Sequence, residues 1–254
     1  MRNGMMALLP LALAMSVAAC KAENARAGKD GTAAAPRGAQ AGPATTRDFA
    51  LSGFTGVELT GPDDVTIRRG DAFSISARGP QAVLDELEIK VDGDRLTIGR
   101  KREGFSVGRR DGEDADIRIT MPRLTAVRLT GSGEIDADAM EGDSVEVAIT
   151  GSGDVRVGRL AAKRAAVTVS GSGDLDVDGG AVGDASFQVT GSGGIDAEPL
   201  AATTLDIAIT GSGDVEAQAT GTADVRILGS GDATVTGGAK CATRVTGSGI
   251  ATCR

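Results

Sequence analysis

Apolar and polar residues alternate on both flanks of a recurring Gly-Ser-Gly triplet, and the alternation keeps its phase from copy to copy. The triplet starts at Gly131, Gly151, Gly171, Gly191, Gly211, Gly229 and Gly247, a period of 20 residues four times and of 18 twice. Two and four residues before the first glycine stand Leu129/Val127, Ile149/Val147, Val169/Val167, Val189/Phe187, Ile209/Ile207, Ile227/Val225 and Val245/Thr243. Four and six residues after it stand Ile135/Ala137, Val155/Val157, Leu175/Val177, Ile195/Ala197, Val215/Ala217, Ala233/Val235 and Ala251/Cys253. A period of two is one apolar face of a strand, so each copy predicts strand, corner, strand.

A row of hairpins and a stack of coils both contain such units. Tight hairpins favour Asn-Gly or Asp-Gly between strands of free length; here corner and strand lengths recur almost unchanged, and a period near 20 signals a solenoid. One coil buries too few small side chains to offset the backbone entropy it fixes, so neighbouring coils must supply ladder hydrogen bonds and the remaining burial. The predicted fold is therefore all-β, a single-stranded β-helix (β-solenoid) with 18- to 20-residue coils. Glycine suits its corner because it adopts left-handed angles and lets one corner lie about 4.8 Å above the next. Ser132, Ser152, Ser172, Ser192, Ser212, Ser230 and Ser248 should form a column there. Thr130, Thr150, Ser170, Thr190, Thr210 and Thr246 should face outward.

An irregular copy precedes the regular ones. In "TGVELTGPDDVTI", Val57 and Leu59 lead to Gly61, while Val65 and Ile67 follow at the same offsets, with Pro62-Asp63 in place of Ser-Gly. Strand-like "FSISA" comes next, then a short helix candidate "PQAVLDEL" with Pro80 at its first position, then "LEIKVDGDRLTIG" with an Asp92-Gly93 turn. Residues 48–130 are read as a less regular first section of the solenoid, and 131–254 as the regular section.

The first 20 residues change the picture of where this domain sits. Arg2, the short apolar run "MMALLPLALAMSVAA" and small residues before Cys20 predict an export signal, the run being too short for a membrane span. "VAAC" resembles the lipobox of bacterial lipoproteins, which implies acylation of Cys20 as the mature N-terminus and, with Lys21 behind it, sorting to the outer membrane. An ordinary secretory signal is the alternative. Residues 21–47, rich in Ala, Gly and Pro without a periodic face, predict a flexible tether spanning about 30 Å.

"GVELTGPDDVTIRRGD", "LEIKVDGDRLTI" and the serial "GSGD" turns resemble the bacterial family called putative auto-transporter adhesin, head GIN domain, over residues 49–254. The resemblance implies a β-helix similar to pectin-lyase-like folds in exported proteins, with adhesion as the expected role and no catalytic motif to carry over.

Composition narrows the chemistry. The chain has 254 residues, no His, Trp or Tyr, 38 glycines and a net charge of −8. Without histidine the common hydrolase triads and zinc sites are excluded, and an exported acidic chain is a poor nucleic-acid binder. No cofactor is expected. Residues 131–254 hold 18 acids and 8 bases, whereas 21–130 hold 17 and 18, so the acidity lies on the regular stack. Asp154, Asp174, Asp214 and Asp232, directly after their corners, are the candidate ligand-facing acids, joined by Glu134 and interrupted by Gly194 and Ile250. Like charges about 4.8 Å apart repel and invite Ca²⁺ through oxygen ligands; the competing reading is that each Asp accepts from nearby turn amides.

Cys241 and Cys253 lie six before and six after Gly247, both on the inward parity, and in an oxidising compartment predict a disulfide cap on the last coil, two buried free thiols being the alternative. "RKREGFSVGRR" places Arg100, Lys101, Arg102, Arg109 and Arg110 around Phe105 and Val107, either a contact for anionic envelope polymer or a solvated hairpin tip. The expected function is a non-catalytic envelope lipoprotein, structural or adhesive. Its expected partners are the membrane, through the lipid anchor, and an envelope polysaccharide or protein. The alternative is a polysaccharide-active β-helix enzyme using carboxylates and basic residues.

Overall fold

The computed structural model describes residues 44–101 and 114–254. Cys20, the signal segment, most of the expected tether, and Arg102, Phe105, Val107, Arg109 and Arg110 lie outside the described residues. The irregular section comprises β1 (Ala44–Phe49), β2 (Gly56–Gly61), β3 (Asp64–Arg69), β4 (Ser74–Pro80), α1 (Gln81–Glu86), β5 (Leu87–Asp92), β6 (Arg95–Arg100) and β7 (Asp116–Met121). The regular section comprises β8 (Ala126–Gly131), β9 (Glu134–Ala137), β10 (Met140–Gly151), β11 (Asp154–Val157), β12 (Leu160–Gly171) and β13 (Leu175–Val177). It continues with β14 (Gly180–Gly191), β15 (Ile195–Gly211), β16 (Val215–Gly229), β17 (Ala233–Thr236), β18 (Lys240–Gly247) and β19 (Ala251–Cys253).

The strands stack as a β-solenoid. The long wall, on the N-terminal flank of each corner, runs β5–β6–β2–β8–β10–β12–β14–β15–β16–β18. A second wall, after the corner, runs β1–β4–β7–β3–β9–β11–β13 and on through the first parts of β15 and β16 to β17 and β19. Pairing is parallel throughout except for β1 on β4, β4 on β7 and β5 on β6. Corner stacks on corner: Gly151 pairs with Gly131 and Gly171, and Gly211 with Gly191 and Gly229.

The rungs do not follow chain order at the N-terminal end. The rung formed by β2 and β3 lies between the one formed by β6 and β7 and the one formed by β8 and β9. The chain completes one rung, builds the next on its outer side, then crosses back through Pro122–Thr125 to the inner side. Three boundaries also move. Residues 44–47, assigned to the tether, belong to β1, whose backbone pairs with β4 from Ala44↔Pro80 to Phe49↔Ile75. Pro80 is the last residue of β4 and the helix N-cap, with ψ 141°, and not the first helical residue. Helix α1 stops at Glu86, because Leu87 is extended and joins β5.

The core is aliphatic. Val127, Leu129, Val147, Ile149, Val167, Val169, Ile207 and Ile209 on the long wall, with Ile135, Val155 and Leu175 opposite, are each at most 2% exposed. A third, short side contributes Met140, Leu160, Val182 and Leu200, also buried, through pairs such as Met140↔Leu160. Alternation around the triplet does not reveal this side, since its inward residues are few and change place between coils, nine after the first glycine at Met140, Leu160 and Leu200 and eleven after it at Val182 and Ala202. The change of period from 20 to 18 is absorbed there too: register shifts fall between Ala197 and Ala201 and between Ala202 and Thr204, leaving the corners aligned.

Candidate functional site on the acidic wall

Each corner is built by two glycines with different duties. Gly171 has φ +127°, and a Cβ on Gly173 would lie 2.1 Å from the carbonyl oxygen of Gly153 one rung below. The first glycine therefore satisfies the backbone angle as well as a close approach, a Cβ on Gly171 lying 2.2 Å from the Gly151 carbonyl oxygen, and the second the close approach alone. Between them, the Ser172 and Gly173 amides donate to the Gly151 carbonyl at 2.8 and 3.2 Å, and Ser172 is exposed on the corner ridge.

The aspartate after the corner then reaches along the stack. Asp154 Oδ1 accepts from the Asp174 amide at 3.0 Å, Asp174 Oδ1 from the Gly194 amide at 2.6 Å, Asp214 Oδ1 from the Asp232 amide at 2.9 Å, and Asp232 Oδ1 from the Ile250 amide at 2.8 Å. Asp64, the equivalent in the irregular rung, accepts from the Glu134 amide. All four predicted acids thus lie in one column, and their carboxylates bind the amide of the next rung. The ladder breaks where the residue is Gly194, which has no side-chain acceptor, and at Glu134, above which the Asp154 amide donates to the Gly133 carbonyl instead. Among the described residues no three His, Cys, Asp or Glu side chains converge as a metal site.

A second column, missed by a reading confined to the corner, stands five residues after the first glycine: Asp136, Asp176, Asp196 and Glu216, with Arg156 in the same file. Its signal was the outward parity of the second wall. The register sets Asp136, Arg156, Asp176, Asp196 and Glu216 side by side. Together the columns line a shallow groove of about 440 Å³. Arg156 approaches Asp176 at 3.6 Å and Asp178 at 3.9 Å. Desolvation raises the Asp176 carboxyl above its ordinary 3.8, Asp196, Asp174 and Asp178 adding to the rise and Arg156 opposing it. Asp64 is raised as well, by desolvation first and then by Asp114 and Asp116.

Two other charged groupings are structural. Asp63, fully buried in the corner where regular rungs have glycine, accepts from Arg100 Nη2 at 2.6 Å, Arg100 Nε at 3.1 Å and the Ala115 amide at 2.9 Å. Arg100 also meets Asp114 at 3.3 Å. Arg100, expected in a basic surface patch, is instead 86% covered and binds the corner; Lys101 Nζ donates to the Asp85 carbonyl. A recess of about 580 Å³ lies beside the crossover, but its Arg69 side chain binds Glu141 at 2.6 Å and its Arg69 amide binds Asp138. Cys241 and Cys253 form a disulfide with Cα atoms 6.6 Å apart. Cys241 is partly buried and Cys253 exposed, although both have inward parity, because among the described residues no rung lies above them.

A family model described as putative auto-transporter adhesin, head GIN domain, matches residues 53–239. Among solved structures the chain is similar to a putative adhesin from Bacteroides fragilis, with 20% identity, a TM-score of 0.75, and coverage of 83% of this chain and 97% of that one. It is also similar to a putative lipid binding protein from Parabacteroides distasonis, at 24% identity and TM-score 0.65 over 83% and 96% of the two chains. A putative adhesin from Parabacteroides merdae matches at 18% and 0.63 over 83% and 96%. No curated protein matches the chain.

Proposed function

Because the chain belongs to the putative auto-transporter adhesin, head GIN domain family, we propose that it is a non-catalytic, adhesin-like β-solenoid of the cell envelope whose acidic wall is its contact surface. The observation supporting this is the doubled file of carboxylates on a flat wall, Asp136, Asp176, Asp196 and Glu216 beside Asp154, Asp174, Asp214 and Asp232, repeated from rung to rung. A fixed array dominated by carboxylates, with Arg156 set among them, favours a partner of opposite charge and raises its encounter rate. The fitting partner is a positively charged segment of an envelope protein or an amine-bearing polysaccharide. A lipid ligand is disfavoured, since a lipid chain needs an apolar cavity and the inward side chains of the described rungs are packed at most a few per cent exposed.

In this reading Cys20 carries the lipid anchor and residues 21–43 hold the solenoid away from the outer membrane. Mass spectrometry of the membrane-extracted protein should find Cys20 acylated, and Cys20→Ser should move the protein to the soluble fraction. For the wall, binding of the labelled purified protein to isolated envelopes should fall at least about tenfold in D176K/D196K/E216K and with rising salt. Reversal of the exposed long-wall residue Asp184 should leave it unchanged. Equal binding by the wall variant would remove the wall as the contact. Incubation with acidic polysaccharides should release no reducing or unsaturated ends; their appearance would favour the enzymatic alternative.

A further inference from the structure

The two ends of the stack are finished differently. At the N-terminal end β5 closes the long wall, and α1 packs against β1 and β4. At the C-terminal end β18 and β19 carry no rung above them among the described residues. Val245 there is 39% exposed, whereas Ile227, one rung below in the same file, is 2% exposed. Thr243 stands above Val225 and is exposed. Among the described residues no strand pairs with the outer edge of β18 or of β5, and a strand edge with free amides and carbonyls is the usual template for adding a strand.

The charges of these two edges are complementary. Residues 240–254 hold Lys240, Arg244 and Arg254 and no acid, in a section otherwise dominated by acids. Lys240 and Arg244, four apart, share the outward face of β18. On β5 the outward, exposed residues are Glu88, Lys90 and Asp92, the acids again four apart, with Ile89 and Val91 half-buried on the inward face. Strand β5 runs antiparallel to β6, and β6 runs parallel to the rest of the long wall, so a second molecule stacked in the same sense brings β5 antiparallel to β18. Straight continuation of the wall would set Lys90 against Arg244. Sliding by two residues keeps every side chain on its face and removes that repulsion.

We propose that the protein self-associates head to tail, β18 of one molecule adding antiparallel to β5 of the next, with Lys240 facing Asp92 and Arg244 facing Glu88. In this register Ala242 lies opposite Lys90, and the inward file joins Thr243 to Ile89 and Val245 to Leu87. Directly opposed unlike charges and apolar pairs are what stabilise a cross-strand contact. The contact is heterologous, so it propagates into a chain of molecules. It uses neither the acidic wall nor any ligand of it, and stands or falls separately from the adhesive reading.

Sedimentation velocity of the purified protein over an about hundredfold concentration range tests this. The sedimentation coefficient should rise with concentration and the rise should weaken with salt. K240E/R244E and E88K/D92K should each weaken association at least about tenfold, and a chain carrying all four reversals should recover it to within about threefold. Far-UV circular dichroism and an intact Cys241–Cys253 bond show that each variant is folded. A wild-type protein monomeric throughout, reversals at either end without effect, or failure of the fourfold variant to recover would each overturn the proposal.

Discussion

Side-chain size decides the corner. At Gly173 any Cβ would overlap the Gly153 carbonyl oxygen, a backbone atom fixed by the rung below, so Gly173→Ala should cost more than about 3 kcal/mol in chemical denaturation. Asp174 is set by length in the same way: its carboxylate reaches the Gly194 amide, whereas the longer Glu134 makes no such bond. Asp174→Ala should cost about 1 kcal/mol, and Asp174→Glu should not restore it. Asp63 is the irregular counterpart, and Asp63→Ala should cost about 3–5 kcal/mol, as expected when one partner of a buried pair is removed. Asp64 and Asp176 point the other way. Their carboxyls are raised in the folded state, so their contribution is most favourable below the ordinary pKa of 3.8 and is lost as pH rises through the raised value. Asp64→Asn and Asp176→Asn should therefore raise Tm at pH 7, with the gain vanishing below about pH 4.

Among the elements, the short third side and the last rung carry consequences that the two-strand pattern does not express. Leu160 is fully buried on the third side, stacked on Met140. Leu160→Ala should cost about 2–5 kcal/mol by opening a cavity, which a picture with only two apolar walls would not predict. At the last rung the disulfide closes a loop of 12 residues in sequence. Cys241→Ser with Cys253→Ser should cost about 3 kcal/mol and raise amide exchange first in β18 and β19, whose outer edge no described strand pairs. Irregular β4 and β5 differ in running antiparallel to β7 and β6; β1 in turn lies outside β4, and β5 is the outermost long-wall strand at that end among the described residues.

For the whole molecule, the repeat was legible because every regular rung meets the same constraint. Val147, Val167 and Ile207 recur at one offset since each sits on the one below, and Gly131, Gly151 and Gly171 recur since each corner touches the next. The column of Asp154, Asp174, Asp214 and Asp232 was legible for that reason, and so was the meeting of Cys241 with Cys253. Their amide partners were not, because a carboxylate's acceptor role depends on a rung 18 or 20 residues away. The third side stayed hidden because its inward residues, Met140, Leu160 and Leu200 in one file and Val182 and Ala202 in another, recur at no constant offset from the corner. The order of the first rungs was hidden as well: β2 and β6 both fit the long-wall pattern, and nothing local says which lies outside. Sequence by itself determined the rung, since period, parity and glycine placement are properties of one coil repeated. Only the tertiary structure decided the order of the irregular rungs, the β1 boundary and the unequal ends, because those depend on which edges remain to be paired once every rung has found its neighbours.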